Sequence, residues 1–197
     1  MKTIRLLLAA AVVAAAAVPA QAAVVTFDAI APSITSLGTT YTEAGFRLAG
    51  DNLAGLGLGT DPFYYTGSNS ALINVIGGST SLSKVGGGAF SFNSIDVSEL
   101  YNATGLVPTN VTFVGQLSGG GTASYSFDLD MVFGNQHVNF GNTFGDVMSV
   151  SWNQTNNYHQ FDNLVMNAGA TVPEPGSLAL VGLALAGLAM RKRARRD

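Results

Sequence analysis

The 197-residue sequence has no cysteine and only two histidines. Without cysteine there is no disulfide framework, no thiolate-held zinc or iron–sulfur site and no thiol nucleophile. His137 and His159 show no zinc-motif spacing, and no G-x-S-x-G elbow offers a nucleophile for a Ser-His-Asp triad. Basic residues are scarce in the middle of the chain. Of nine Lys and Arg, Lys2 and Arg5 open the sequence and five crowd its last seven positions, which leaves only Arg47 and Lys84. Residues 23–172 carry ten Asp and Glu against those two bases, a net near −8. Such a body is a poor partner for nucleic acid, because phosphate contacts need clustered Lys and Arg. Gly55-x-Gly57-x-Gly59 imitates a phosphate loop but has no P-loop lysine and opens no helix, so it reads as a surface loop. No internal repeat is visible, which argues against a propeller or β-helix.

What is present begins at the ends. Lys2 and Arg5 precede an apolar run over residues 6–18, Pro19 breaks it, and Ala20-Gln21-Ala22 places small residues at the two positions read by a signal peptidase. A secretory signal cut after Ala22 is expected; the alternative is an uncleaved membrane helix. A second apolar run covers residues 178–190 and meets Arg191, Lys192 and Arg193 at once. At about 1.5 Å per residue it spans roughly 20 Å, short of the ~30 Å hydrocarbon core. Extension to residue 177, snorkelling by Arg191 and local thinning make it a marginal transmembrane helix. The arginines would hold that end in the cytoplasm and leave the body outside.

Val172-Pro173-Glu174-Pro175-Gly176, the short apolar run and the basic end together resemble a PEP-CTERM sorting tail. The resemblance covers residues 172–196 and joins three elements in order, with a signal segment at the opposite end. It implies an exported bacterial protein recognised by an exosortase-type membrane protease, cut near Pro173-Glu174-Pro175, and then released or attached at the surface. Such tails are also called the ice-binding protein C-terminal domain. That label implies nothing about ice here, since the body has no regular Thr-x-Thr ladder.

Between the ends the hydrophobic period is 2, not 3.6. Tyr125-Ser126-Phe127-Asp128-Leu129-Asp130-Met131 alternates, as do Val111, Phe113, Gly115 and Leu117, and Met148, Val150 and Trp152. Further extended runs are expected at 24–29, 41–48, 71–76, 89–97, 136–140 and 161–166. Gly77-Gly78, Gly86-Gly87-Gly88 and Gly119-Gly120-Gly121 supply turns, the last joining two alternating runs as a hairpin. No ten-residue amphipathic helix appears, and residues 98–103 offer one turn at most. Eight to ten short strands of this kind point to an all-β antiparallel sandwich. In Phe90–Val97, 111–127 and Phe161-Asp162-Asn163-Leu164-Val165 the body also resembles jelly-roll sandwiches of the carbohydrate-binding and galactose-binding-like type.

Three candidate sites follow. Asp28 in the first strand and Asp162 in the last would approach each other if the terminal strands pair, and similar sandwiches often hold a structural Ca²⁺ there. The plain alternative is two solvated carboxylates. Phe63, Tyr64 and Tyr65 form an aromatic loop on which a sugar could stack, with Trp152 and Tyr158 as partners; the plain alternative is that these rings plug the end of the sandwich. Asp128 and Asp130 share a strand face with Ser124 and Ser126, which reads as the wet side of a sheet rather than a carboxylate pair across a cleft. The function expected is a non-catalytic, polysaccharide-binding surface module. The alternatives are a purely structural surface protein and, with no catalytic constellation to support it, a hydrolase.

Alanine at both Pro173 and Pro175 is expected to leave the protein in the membrane, because proline keeps that segment extended for a protease to grip. Membrane fractionation checks this. Normal release of the double variant would make the tail a generic anchor.

Overall fold

The computed structural model describes residues 22–57 and 61–167. The signal segment with Ala20, and the tail with Pro173, Glu174, Pro175, Arg191, Lys192, Arg193 and the expected transmembrane helix, lie outside the described residues. Within them the chain forms eleven strands and no helix: β1 (Ala23–Val25), β2 (Ile34–Glu43), β3 (Phe46–Leu56), β4 (Ser70–Ile73), β5 (Ser79–Lys84), β6 (Phe92–Glu99), β7 (Thr109–Leu117), β8 (Thr122–Leu129), β9 (Gln136–Asn139), β10 (Val147–Asn153) and β11 (His159–Met166).

All pairings are antiparallel, in the order β8-β7-β10-β5-β3-β4-β11-β6-β9, with β2 on β3 and β1 on β11. The long strand β3 explains how one hydrogen-bonded sheet becomes two layers. Its first half, residues 46–50, pairs with β5, and its second half, 53–56, pairs with β4 on the same side. The strand therefore leaves one layer and enters the other near Gly50, where an added Cβ would lie 2.9 Å from the Ser79 carbonyl oxygen. Glycine is the residue for such a close backbone approach. The first layer is β8-β7-β10-β5 with the start of β3, and the second is the end of β3 with β4, β11, β6 and β9.

The layers meet through rings. Trp152 on β10 stands edge-on to Phe161 on β11 at 5.1 Å and stacks at 6.5 Å on Phe92 of β6. Phe113 on β7 reaches Phe140, just past β9, at 5.0 Å. The core side of β7 is Thr109, Val111, Phe113 and Gly115, alternating with outward Asn110, Thr112, Val114 and Gln116. Here the period-2 pattern holds residue by residue. Among the described residues the core runs from Val25 to Met166, and β1 and β11 pair with each other.

Three sequence expectations need correction. Gly55 and Gly57, expected in a surface loop, are buried, and Gly55 is part of β3. The extended run at 41–48 is the hairpin between β2 and β3, broken at Ala44 and Gly45, both at positive φ (49° and 79°). That is the two-residue turn whose twist suits antiparallel strands. Residues 98–103 make no helical turn: β6 continues to Glu99. The triple-glycine hairpin between β7 and β8 is as expected, with Gly120 and Gly121 at positive φ.

Trp152→Ala is expected to cost about 3–5 kcal/mol, the range for deleting a large aromatic from a close-packed core. Urea unfolding measures it. A loss below about 1 kcal/mol would mean the layers do not depend on this ring.

Candidate functional site

The outer face of the first layer is built from small polar side chains. In-register rows cross it: Ser124 on β8, Val114 on β7, Ser151 on β10, Ser81 on β5 and Ala49 on β3 lie side by side, and Thr122, Gln116, Ser149, Ser83 and Arg47 form the next row. Toward one end of this face Asn110, Thr112, Ser151, Asn153 and Thr155 line a shallow hollow of about 440 Å³. Its polar groups are held in place. Thr112 Oγ1 donates to Asn110 Oδ1 at 3.0 Å and lies 2.9 Å from Ser126 Oγ, while Asn110 Nδ2 donates to Asp128 Oδ1 at 2.8 Å. Asp128, Ser124 and Ser126 are exposed, as the sequence suggests for the wet side of a sheet. These residues carry no motif, so sequence reasoning did not single the hollow out. Its one visible signal is the run of Ser, Thr and Asn at alternate positions of β7, β8 and β10.

The expected aromatic platform takes another form. Trp152 is 2% exposed and lies inside the main core, so its ring is not offered to a ligand. Ring-stacking between the layers took the only tryptophan. Tyr64 packs on a second, smaller apolar cluster of Ala54, Leu56, Leu72 and Leu100, together with Tyr101 and Tyr158. Phe63 stands edge-on to Tyr64 at 5.2 Å and tilted to Tyr101 at 5.5 Å, and retains 40% exposure. Tyr65 is half-buried. The rings cap the outer side of the second layer.

The loop that carries them is fastened by buried polar groups. Gln160 Nε2 donates to the Tyr64 carbonyl at 2.9 Å, and the Ser70 hydroxyl donates to Gln160 Oε1. The Ser68 hydroxyl donates to Asp162 Oδ2 at 2.6 Å. Asn69 donates to the Phe27 carbonyl at 3.1 Å, while its own side-chain oxygen is buried and unpartnered.

β1 and β11 pair, but Asp28 lies in the turn after β1 rather than in the first strand, and the two carboxylates have different settings. Asp28 follows β1 and is exposed; Asp162 on β11 is 1% exposed. Burial pushes the Asp162 carboxyl up to about 7, opposed by its hydrogen bonds from Ser68 and the Asn163 N–H and reinforced by the charges of Asp96 and Asp28. No group of three His, Cys, Asp or Glu able to hold a metal occurs among the described residues. His159 is fully buried, its Nδ1 3.2 Å from Thr155 Oγ1 and its Nε2 without a partner; burial lowers it to about 4.

A protein-family model, the PEP-CTERM protein-sorting motif, matches residues 171–196. The chain carries a PEP-CTERM sorting tail. No curated protein matches the sequence. Among solved structures it is similar to two mutants of CBM29-2, studied for ligand recognition by family 29 carbohydrate-binding modules. One is 10% identical over 68% of this chain and 90% of that one, with a TM-score of 0.38. The other is 14% identical over 76% and 94%, with a TM-score of 0.37. A third is the CBM22-1–GH10 part of Clostridium thermocellum endo-1,4-β-D-xylanase 10B complexed with xylohexaose, 15% identical over 73% of this chain and 28% of that one, TM-score 0.36. The PEP-CTERM tail makes this an exported protein, sorted through the membrane and processed by an exosortase.

Two buried titrating groups make the stability of the body depend on pH. His159 binds its proton less readily when folded, so its contribution is complete above the ordinary histidine value and is lost as pH falls through about 6.5 toward 4. Asp162 binds its proton more readily when folded, so its contribution is complete below the ordinary carboxyl value and is lost as pH rises through about 7. The two oppose each other in between. Asp162→Asn is therefore expected to make stability fall more steeply from pH 7 to pH 4 than in the wild type, and His159→Gln to make it fall less or rise. Each slope should shift by about 1–3 kcal/mol over that interval, read from urea midpoints. Identical pH profiles for all three proteins would contradict this.

Proposed function

We propose that the protein is a non-catalytic module of the extracellular matrix or cell surface that binds polysaccharide on the outer face of its first layer. One observation carries this reading: that face is broad, rich in hydroxyl and amide groups, and hollowed at Asn110, Thr112, Ser151, Asn153 and Thr155. Hydroxyls and amides both donate and accept, which matches the hydroxyls of a sugar chain. The links between Thr112, Asn110, Ser126 and Asp128 fix these side chains beforehand and lower the ordering cost of binding. With Trp152 turned into the core, affinity on this face rests on hydrogen bonds, each worth about 0.5–1.5 kcal/mol net. Single-site binding is then weak, and many copies displayed on one surface supply avidity.

Affinity electrophoresis of the body (residues 22–167) through gels containing single polysaccharides tests the reading. The polymer that retards the wild type should bind Thr112→Ala/Asn153→Ala about tenfold more weakly, the sum of two lost hydrogen bonds. Retardation by no polysaccharide would favour a purely structural surface protein whose acidic exterior hydrates.

We also propose that Asp162, Asp28 and the unpartnered Asn69 oxygen are where a structural Ca²⁺ sits. They are oxygen donors, as a hard cation requires, and a cation would relieve the buried Asp162 charge. Added Ca²⁺ should then raise the melting temperature by several degrees, EDTA should reverse the rise, and Asp162→Asn should abolish it. A melting curve indifferent to both additions removes the ion from the account.

A further inference from the structure

Among the described residues β8, β9, β2 and β1 each have a single strand neighbour, so each presents a sheet edge. Three of these edges are blunted in ways that discourage pairing with another chain. β9 and β1 are four and three residues long, and β2 shifts register on both sides of Gly38, which has positive φ (73°). β8 is different. Its eight residues pair with β7 without a shift and include no proline, lysine or arginine. Beyond Leu129 the chain leaves the edge for the second layer, where the Met131 N–H donates to Glu99 Oε1 at 2.8 Å.

The hairpin register fixes which groups are open. The Leu117 N–H donates to the Gly121 carbonyl at 3.1 Å, and bonded and non-bonded pairs alternate along an antiparallel ladder. Ala123, Tyr125 and Phe127 therefore turn their backbone groups toward β7. Thr122, Ser124, Ser126 and Asp128 turn theirs to the free edge. The core is also thinly closed here: Ala123, Tyr125 and Phe127 pack against it but stay half-buried, with Tyr125 edge-on to Phe140 at 5.3 Å.

We propose that β8 is the interface with a second copy of this chain, the two β8 strands pairing antiparallel about a twofold axis at Tyr125. This register meets three conditions together. The open backbone groups of Ser124 face those of Ser126 in the second copy, and Thr122 faces Asp128, for about eight hydrogen bonds in all. Small Ala123 stands beside large Phe127, and the two Tyr125 rings carry the core across the joint. Asp128, the one charge on the strand, lies opposite Thr122 and not opposite its own copy. Because paired residues share a face, the polar faces of two first layers become one surface bearing two hollows. That last consequence rests on the glycan-binding reading and makes the site bivalent; the pairing itself does not depend on it.

Light scattering of the full chain in a mild detergent measures the pairing with no polysaccharide present. The contact is one strand wide, so a dimer should form between about 1 μM and 1 mM and dissociate on dilution. Ser124→Pro removes an outward N–H while sparing the β7 ladder, and Ser124→Lys/Ser126→Lys sets lysine against lysine. Each should weaken the dimer at least about tenfold. Mixing the lysine variant with Ser124→Glu/Ser126→Glu should restore it. The chain has no cysteine, so single cysteines report the register. Tyr125→Cys should oxidise to a covalent dimer, its two Cα atoms about 4.5 Å apart, whereas Thr122→Cys, about 20 Å from its copy, should not. A monomer at every concentration overturns the proposal. A dimer that survives both Ser124 variants overturns it too and assigns association to the tail or another surface. Thr122→Cys linking as fast as Tyr125→Cys also overturns it. Each of these results leaves glycan binding by the single body standing.

Discussion

Trp152 lies between the layers, edge-on to Phe161 and stacked with Phe92, with Phe113 at 5.5 Å beside it. This contact sets the spacing at which the two halves of the sheet face each other. Once it is made, β10 must present Ser149, Ser151 and Asn153 outward, because neighbouring residues of a strand point to opposite faces. The same alternation turns Thr112 and Asn110 outward on β7 as Phe113 turns in. The polar face is thus the obligatory reverse side of the aromatic core.

The second layer handles its outer side differently. There Leu56, Leu72 and Leu100 are apolar and need a cover, which the segment from Phe63 to Ser70 provides with Tyr64 as its main contact. A loop lying on a sheet has backbone groups to satisfy. From β11, Gln160 does this for the Tyr64 carbonyl, while Asp162 holds the Ser68 hydroxyl with a buried carboxyl that is raised to about 7. One layer is covered and stiffened by buried polar links; the other is left open to solvent. That asymmetry is why the proposed binding surface lies on the first layer.

Much of the architecture was legible because it follows from period 2 and turn chemistry. Strands β7, β8, β10 and β11 announce themselves by alternation, and the triple glycine marks its hairpin. Strand β5 escaped notice because Ser79-Thr80-Ser81-Leu82-Ser83-Lys84 holds one large apolar residue, so its place between β3 and β10 comes from register rather than pattern. The break at Ala44-Gly45 was hidden inside an apparently continuous run, since alanine rarely adopts positive φ. At the sites, sequence reasoning grouped aromatics by composition and could not tell a buried ring from an exposed one. Trp152 went to the core and Tyr64 to a cover. The polar hollow depends on which strands are neighbours, which no single segment of sequence encodes.

The central claim is that the open face of the first layer meets the polysaccharide. Two-dimensional NMR of the isotope-labelled body, titrated with an oligosaccharide of the polymer that retards it in gels, tests this most directly. The account predicts that amide shifts concentrate in residues 110–114 and 151–155. Shifts confined to the cover formed by Phe63, Tyr65 and Tyr101 would contradict it.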